Sequence, residues 1–566
     1  MAVIVAVETP LRRRGRPGAG ADGAVTLPAG IRTAAAAPVD GAPVAGSADR
    51  PEPRYRRLAD ALAAAIGRGE LPEAARLPSE RDLALALGVS RTTAVAAYRE
   101  LAARGLVRGQ VGRGTFVCVG LDRGVADGAA SGTGGAPAVS VADAPFAWRG
   151  KVALRADPAA GPGLRPLIRA GADAAVVSFA AGAPALDLFP TERFRALTDR
   201  ILAEEGPAAL GLAPIEGVPA LRRAIAARAG IDPGRVLVVA GAQQGLDLVA
   251  RCLVDPGDAV VVDRPGYLGA IHAFRAAGAR LVGWDAVRAD LDELEDLFLR
   301  HRPKLLYTGP THQNPTGRTL DTVCRRELLA LAARYRIPIV EDDPYRELGF
   351  PSPRSGGRAG GEGQRVPAVP PTLAALDRDA LVIHLGTFAK TLAGGLRLGW
   401  VAAAPAIVDH LARLKANTDV SCPGLTQRIL ATMLVDGGFD AHLVGLRAEH
   451  ARRHASMVAV LRRHLPPPAL TWDPVAGGLY LWARLGDGGD AAALLRLAET
   501  RGAGVAFVPG AAFYPDAGVG AGPGRSTLRL CFTAADPPRI DLGVRRLAAL
   551  LRGHPAPVAA GHVPVA

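Results

Sequence analysis

Lysine is nearly missing from this sequence. Of 67 basic residues only four, Lys151, Lys304, Lys390 and Lys415, are lysine; the rest are arginine. Arginine is therefore the routine surface cation, and each lysine needs a reason of its own. Cysteine is scarce as well. Cys118, Cys252, Cys324, Cys422 and Cys531 are scattered, odd in number and without a CxxC pair. That argues against a disulfide framework and against a metal site, and it fits a reducing cytoplasm. There is no apolar run of the roughly 18 residues that a membrane span needs, so none is predicted. The opening MAVIVAVETP is too short for a secretory h-region and runs into LRRRGR instead of a cleavage site.

What is present is bulk and positive charge. At 566 residues with 49% hydrophobic content, the chain can bury more than one core. A formal charge of +13 suits a polyanionic partner, although arginine bias alone also raises it. Residues 1–50 are Ala/Gly/Pro-rich and aperiodic, which predicts a disordered basic arm. Residues 51–119 form a dense patterned block. Residues 120–175 begin Gly/Ala/Ser-rich and read as a flexible linker. Residues 176–555 alternate short β-branched runs (RVLVVAG, DAVVVD, KLLYTGP, IPIVEDD, LVIHLGTF) with helical stretches. That pattern predicts an α/β domain with a mostly parallel sheet. A surface insertion is expected at 352–366 and a disordered tail at 556–566.

In the first block, LPSERDLALALGVSRTTAVAAYRELAARGLVRGQVGRGTFV spans residues 77–117. A helix is predicted from about Glu80 to Leu87, with Leu83, Ala84 and Leu87 on its apolar face and Gly88 ending it. Ser90 can N-cap a second helix, Arg91 to Arg104, with Val95, Tyr98 and Leu101 inward and Arg91, Thr92 and Thr93 outward. RGQVGRGTFV reads as a hairpin with a glycine-rich tip. Six arginines against two acids lie between Arg81 and Arg113. A helix N-terminus with hydroxyls and arginines suits phosphates and guanine edges. The block resembles the GntR-type winged helix-turn-helix. The resemblance implies contacts to double-stranded promoter DNA from Arg81, Ser90, Arg91, Thr92, Thr93, Gly112 and Arg113, with Arg108 as an alternative wing contact. A small helical domain with a solvated basic face is the bland reading.

Lys390 sits in GTFAKTLAGGLRLGW, an apolar and glycine-rich stretch. A lysine, unlike an arginine, can lose its proton and attack a carbonyl to form a Schiff base. A snorkelling surface lysine is the alternative. Other motifs point the same way as the first reading. In VVAGAQQGLDL a helix starting near Ala242 or Gln243 offers free N–H groups to a phosphate. Tyr267 follows a strand in VVDRPGY and can stack on a flat ring. Asn314 in THQNPTG is an uncharged donor. IVEDDPYREL ends a strand in carboxylates, at the sheet edge where ligands bind.

Together GAQQ, PGY, NPTG, DDPY, FAK and LRLGW resemble the fold-type I aminotransferases that use pyridoxal 5'-phosphate (PLP). The resemblance implies a large three-layer α/β/α PLP domain with a smaller C-terminal α+β subdomain. It makes Lys390 the Schiff-base lysine and Asp342 the partner of the pyridine N–H. Asn314 and Tyr345 would hold the phenolic oxygen, with Tyr267 stacked on the ring. Ala242, Gln243, Thr387 and Arg397 would hold the phosphate, and Arg529 would grip a substrate carboxylate. Lys390, Asp342 and Tyr345 are the expected catalytic set. Two departures stand out: Ala389 replaces the usual serine, and Leu212 the usual tyrosine. Each removes about one hydrogen bond, or about 1 kcal/mol, of phosphate holding.

The two blocks joined resemble the MocR/GabR group of bacterial regulators. This implies a cytoplasmic homodimer, often domain-swapped, whose large domain senses PLP or an amino compound by Schiff-base exchange at Lys390. The competing expectation is an active aminotransferase that carries a DNA-binding domain. A scaffold with a dead cofactor site is the third.

Overall fold

A computed structural model describes residues 53–72, 75–110, 114–117, 175–351, 369–515, 522 and 524–553. The expected basic arm, most of the linker, the 352–366 insertion, the C-terminal tail, Gly112 and Arg113 lie outside the described residues. The chain divides into two compact units, residues 1–159 and 160–566.

The first unit packs three helices, α1 (Arg54–Gly67), α2 (Glu80–Leu87) and α3 (Arg91–Ala103), with a hairpin of β1 (Val107–Gln110) and β2 (Gly114–Val117). Its core joins Leu58 and Leu62 of α1, Leu83 of α2, and Tyr98 and Leu101 of α3 to Val107 and Val117. Ser79 caps α2 by accepting from Asp82 N, and Ser90 caps α3 by accepting from Thr93 N at 3.1 Å. Gly88 leaves α2 at φ 64°, the left-handed region that glycine enters without strain. Helix α3 buries Ala94 and Ala97 beside Tyr98 and Leu101, whereas Val95 is only partly covered. Tyr98 and Leu101 are thus buried as expected, while Ala94 and Ala97 take the place expected for Val95. The neighbours come close enough that alanine fills the space. The hairpin gains a third strand segment, since Leu77 N donates to Thr115 O and Val117 N to Ala75 O.

The second unit centres on a seven-stranded sheet. In chain order its strands are β3 (Val236–Val239), β4 (Ala259–Asp263), β5 (Arg280–Trp284), β6 (Leu305–Thr308), β7 (Ile339–Asp342), β8 (Val382–Thr387) and β9 (Gly399–Ala402), arranged β3-β9-β8-β7-β6-β4-β5. All neighbours pair in parallel except β9, which runs against both β3 and β8. Strands β3, β4, β6 and β7 are buried at every position, which is why they read as unbroken apolar runs. Helices α4 (Ala242–Leu253) and α5 (Leu268–Ala276) cover one face, and α6 (Leu291–His301) and α7 (Thr322–Tyr335) the other. This is the expected three-layer α/β/α arrangement. The C-terminal part adds a four-stranded antiparallel sheet, β10 (Leu470–Trp472), β11 (Tyr480–Leu485), β12 (Val508–Pro509) and β13 (Thr527–Cys531), in the order β10-β11-β13-β12. It packs on α8 (Gly438–His464) and α9 (Pro537–Leu551) through Met457, Leu461, Ile540 and Leu547. No single helix among the described residues is long and apolar enough to cross a membrane.

Candidate active site and nucleic-acid face

The carboxyl ends of β3, β4, β6, β7 and β8 open onto one cavity, lined by Gly241, Asp263, Gly309, Asp342 and Thr387 among others. The same cavity is lined by Ala242, Gln243, Tyr267, Asn314, Tyr345, Lys390 and Arg397. Six separate motifs thereby converge, because a doubly wound sheet puts its strand-to-helix turns on one edge.

Helix α4 starts at that edge with Gly241 at φ 86° and no side-chain cap. A Cβ at Gly241 would meet Arg397 Nη2 at 3.0 Å, so glycine lets the guanidinium lie against the turn. Arg397 is held there by donating to Ala240 O at 2.7 Å and to Gly394 O at 3.2 Å. Free helical N–H groups beside a guanidinium and the Thr387 hydroxyl are donors of the kind that suits a phosphate dianion. Lys390 follows β8 and donates from Nζ to Gly182 O at 2.6 Å. A Cβ at Gly182 would collide with the Tyr480 hydroxyl.

Asp342 ends β7 with its Oδ2 accepting from Tyr307 Oη at 2.7 Å. Its Oδ1 is buried with no hydrogen-bond partner. Burial pushes this carboxyl up to about 6, against the pull of the Tyr307 hydroxyl. Asp263 shares the floor. It accepts from Gly309 N at 2.8 Å and Gln313 Nε2 at 3.2 Å, and burial pushes it up to about 6 as well. Tyr267 Oη donates to Gln243 Oε1 at 3.3 Å, and burial raises its phenol well above the ordinary range.

Asn314 Oδ1 accepts from Arg529 Nη1 at 2.9 Å, which turns the amide N–H₂ donors elsewhere. Arg529, on β13, also donates to Ala180 O at 2.6 Å and lies 4.1 Å over the Tyr480 ring. Its Nε is buried without a partner. Tyr345 Oη lies 3.4 Å from Tyr480 Oη. The loop carrying Asn314 is fixed from behind by Arg325 of α7, which donates to Pro310 O at 2.8 Å and Thr311 Oγ1 at 2.9 Å. Arg325 lies 3.7 Å from Glu341, both fully buried.

These residues fit PLP. The orphaned Asp342 oxygen suits a cationic pyridine N–H. The uncapped helix with Arg397 suits the phosphate, and the Lys390 amine suits the aldehyde. Gly182, Asp263, Tyr307 and Tyr480 were not singled out in the sequence, although Asp263 lies in the same VVDRPGY stretch as Tyr267. Of the two departures, Ala389 lines the cavity, and Leu212 is 85% exposed on this chain.

In the first unit Arg81, Ser90, Arg91 and Thr92 are exposed and Thr93 is half-buried. The Ser90 hydroxyl lies 3.1 Å from that of Thr92 and 2.8 Å from that of Thr93. Arg91 pairs with Glu80 only at 3.8 Å and is 75% exposed, so its guanidinium is free to turn to another anion.

Residues 174–547 match the family model for aminotransferase class I and II, and residues 54–117 match that for bacterial regulatory proteins of the gntR family. The probable rhizopine catabolism regulatory protein MocR of Rhizobium meliloti is 34% identical over 467 residues, 81% of this chain and 87% of that one. The 2-aminoadipate transaminase of Thermus thermophilus is 36% identical over 395 residues, 69% of this chain and 94% of that one. Among solved structures, α-aminoadipate aminotransferase LysN from Thermus thermophilus, complexed with N-(5'-phosphopyridoxyl)-L-leucine, superposes with a TM-score of 0.63 at 35% identity. It covers 72% of this chain and 98% of its own.

Proposed function

The chain belongs to the class I and II aminotransferase family, which depends on PLP, and carries a GntR-family DNA-binding domain; from that premise we propose that it is a transcriptional regulator whose aminotransferase-like domain reports an amino compound to promoter DNA. One observation carries the reading. A GntR-family DNA-binding domain and a cavity lined by the six aminotransferase-like motifs occur in one chain that is similar to MocR over 81% of its length. Residues 51–119 would be the reader, 120–175 the linker and 176–555 the sensor. Homodimerisation in the cytoplasm, with two readers on paired half-sites, completes the reading.

When bound, PLP supplies an aldehyde that condenses with amines and a ring that withdraws electrons. Lys390 would hold it covalently, its amine uncharged at the moment of attack. Asp342 would keep the ring nitrogen protonated by placing a buried counter-charge beside it. Asn314 and Tyr345 would orient the phenolic oxygen, and Tyr267 would cover one ring face. The first turn of α4, Thr387 and Arg397 would hold the phosphate. Arg529 would take a carboxylate of the incoming amino compound, releasing Asn314 or Ala180 O in exchange. That exchange couples ligand binding to the loop bearing Asn314. It counts as allostery only when the ligand prefers one arrangement of the readers.

Active transamination is the second reading. The 36% identity to a transaminase and the convergence of Lys390, Asp342 and Tyr345 on one cavity favour it. One experiment separates the two. The PLP-loaded chain is titrated with amino compounds while promoter affinity is read at fixed salt, and product is assayed with a keto-acid acceptor. The regulator reading expects a change in promoter affinity without sustained product. Sustained turnover with unchanged affinity would favour the enzyme.

A further inference from the structure

Behind the cofactor cavity lies a second cavity of about 530 Å³, within the roughly 300–1,000 Å³ typical of small-molecule sites. Pro344 and Thr387 line both. Asp342 lines the first cavity and its neighbour Asp343 the second. Extended backbone sends successive side chains to opposite faces, so one strand end serves both spaces.

Asp343 is the unusual group here. Its side chain is 1% exposed, and neither carboxylate oxygen has a hydrogen bond. His384 Nε2 lies 3.7 Å from its Oδ2, beyond hydrogen-bond reach. A buried carboxylate ordinarily collects donors that offset its lost hydration, and this one lacks them. The hydroxyl of Thr391, in the same wall, is also buried and unpartnered. Positive charge lines the same space, with Arg447 already partly balanced by Glu347 of the same wall. Arg346 donates through Nη1 to Pro370 O at 2.7 Å, and Arg447 through Nε to Glu347 O at 2.6 Å. Neither forms an ion pair among the described residues. Trp400 contributes an apolar surface.

A carboxylate without donors and the Arg346 guanidinium without an ion-pair partner, lining one cavity, complement a ligand that carries both charges. We propose that this cavity binds a small zwitterion, an amino acid or a near relative, with its ammonium group on Asp343 and its carboxylate on Arg346. The site is independent of the cofactor reading, because neither contact residue lines the first cavity. It would let the protein register an amino acid without condensing it on Lys390. The shared wall places that ligand against the strand end bearing Asp342.

The test uses zwitterions that cannot condense with an aldehyde, N,N-dimethylglycine and N,N-dimethyl-L-phenylalanine, whose amines are tertiary. Calorimetric titration of the full PLP-loaded chain is expected to show saturable binding of at least one. Affinity should fall at least tenfold in Asp343→Asn and in Arg346→Gln and stay unchanged in Arg529→Gln, which alters the first cavity. N-acetyl-L-phenylalanine, which lacks the ammonium group, should not bind. PLP absorbance and thermal unfolding of the same samples report the first cavity and the fold separately. Asp343→Asn preserves shape, so it decides the matter should Arg346→Gln fail to fold. Absence of saturable binding by either probe overturns the proposal. So does loss of binding in Arg529→Gln with none in Asp343→Asn, or equal binding of the N-acetyl compound.

Discussion

Asp342 shows how one buried residue links stability to cofactor binding. Burial pushes its carboxyl, like that of Asp263, up to about 6 in the folded chain, whereas an unfolded aspartate titrates at about 3.9. Between those values the folded, cofactor-free protein keeps a proton that the unfolded chain has released. Its stability therefore falls as pH rises through that window, and the loss is complete above about 6. Asp342→Asn should remove this burden. We expect it to stabilise the cofactor-free protein by about 1 to 3 kcal/mol at pH 7.5, read by denaturant unfolding, while weakening PLP binding at least tenfold. Unchanged values of both would remove Asp342 from its proposed role. Ala389→Ser should tighten PLP binding by about 1 kcal/mol, roughly fivefold, by restoring one hydrogen bond; spectroscopic titration checks this. The motif residues were legible because their chemistry is conspicuous: a lysine among arginines, carboxylates at a strand end, an amide before Pro315. Tyr307 was not, since a strand buried on both faces has no alternation to show which residue meets the site. Gly182 was not either, because its bond to Lys390 spans 208 residues.

At the level of elements, α3 and α7 carry the most weight. Ser90 both caps α3 and sits on its exposed end, so Ser90→Ala should cost about 1 kcal/mol of stability in the reader. Arg91→Ala leaves the cap intact. It should weaken promoter binding roughly tenfold and flatten its salt dependence, with PLP absorbance unchanged. Parallel loss of both signals would contradict the two-unit division. Helix α7 reaches across the sheet edge through Arg325. Arg325→Met should destabilise the chain by about 3 to 5 kcal/mol, because Glu341 would be left buried without its partner; unfolding curves would show it. The helices and strands themselves were legible from apolar spacing, from Ser90 and Gly88, and from the β-branched runs. On α3, Tyr98 and Leu101 were legible as buried, but Ala94 and Ala97 were not, because alanine gives a weak apolar signal. The third wing segment escaped notice because Arg76 lies between alanine and Leu77–Pro78, with no alternating run. The Arg325–Glu341 pair was invisible for another reason: no local pattern marks a cation that meets its partner from a different strand.

At the scale of the whole molecule, two units share one chain, and the charge of +13 suits a partner whose binding weakens steeply with salt. The regulator reading needs both units: a reader that binds promoter DNA and a cavity that holds PLP through one amine. The fusion was legible because each half carries its own set of motifs. Effector identity was not, because the groups that would select it come from loops and from the distant Arg529. The sensing role assigned to the cofactor cavity depends on Lys390 carrying the cofactor. The direct measurement is borohydride reduction of the PLP-incubated chain, followed by proteolysis and peptide mass spectrometry. The account predicts one phosphopyridoxyl adduct, on the peptide containing Lys390 and absent from Lys390→Ala. An adduct on Lys151, Lys304 or Lys415 instead, or none at all, would contradict it.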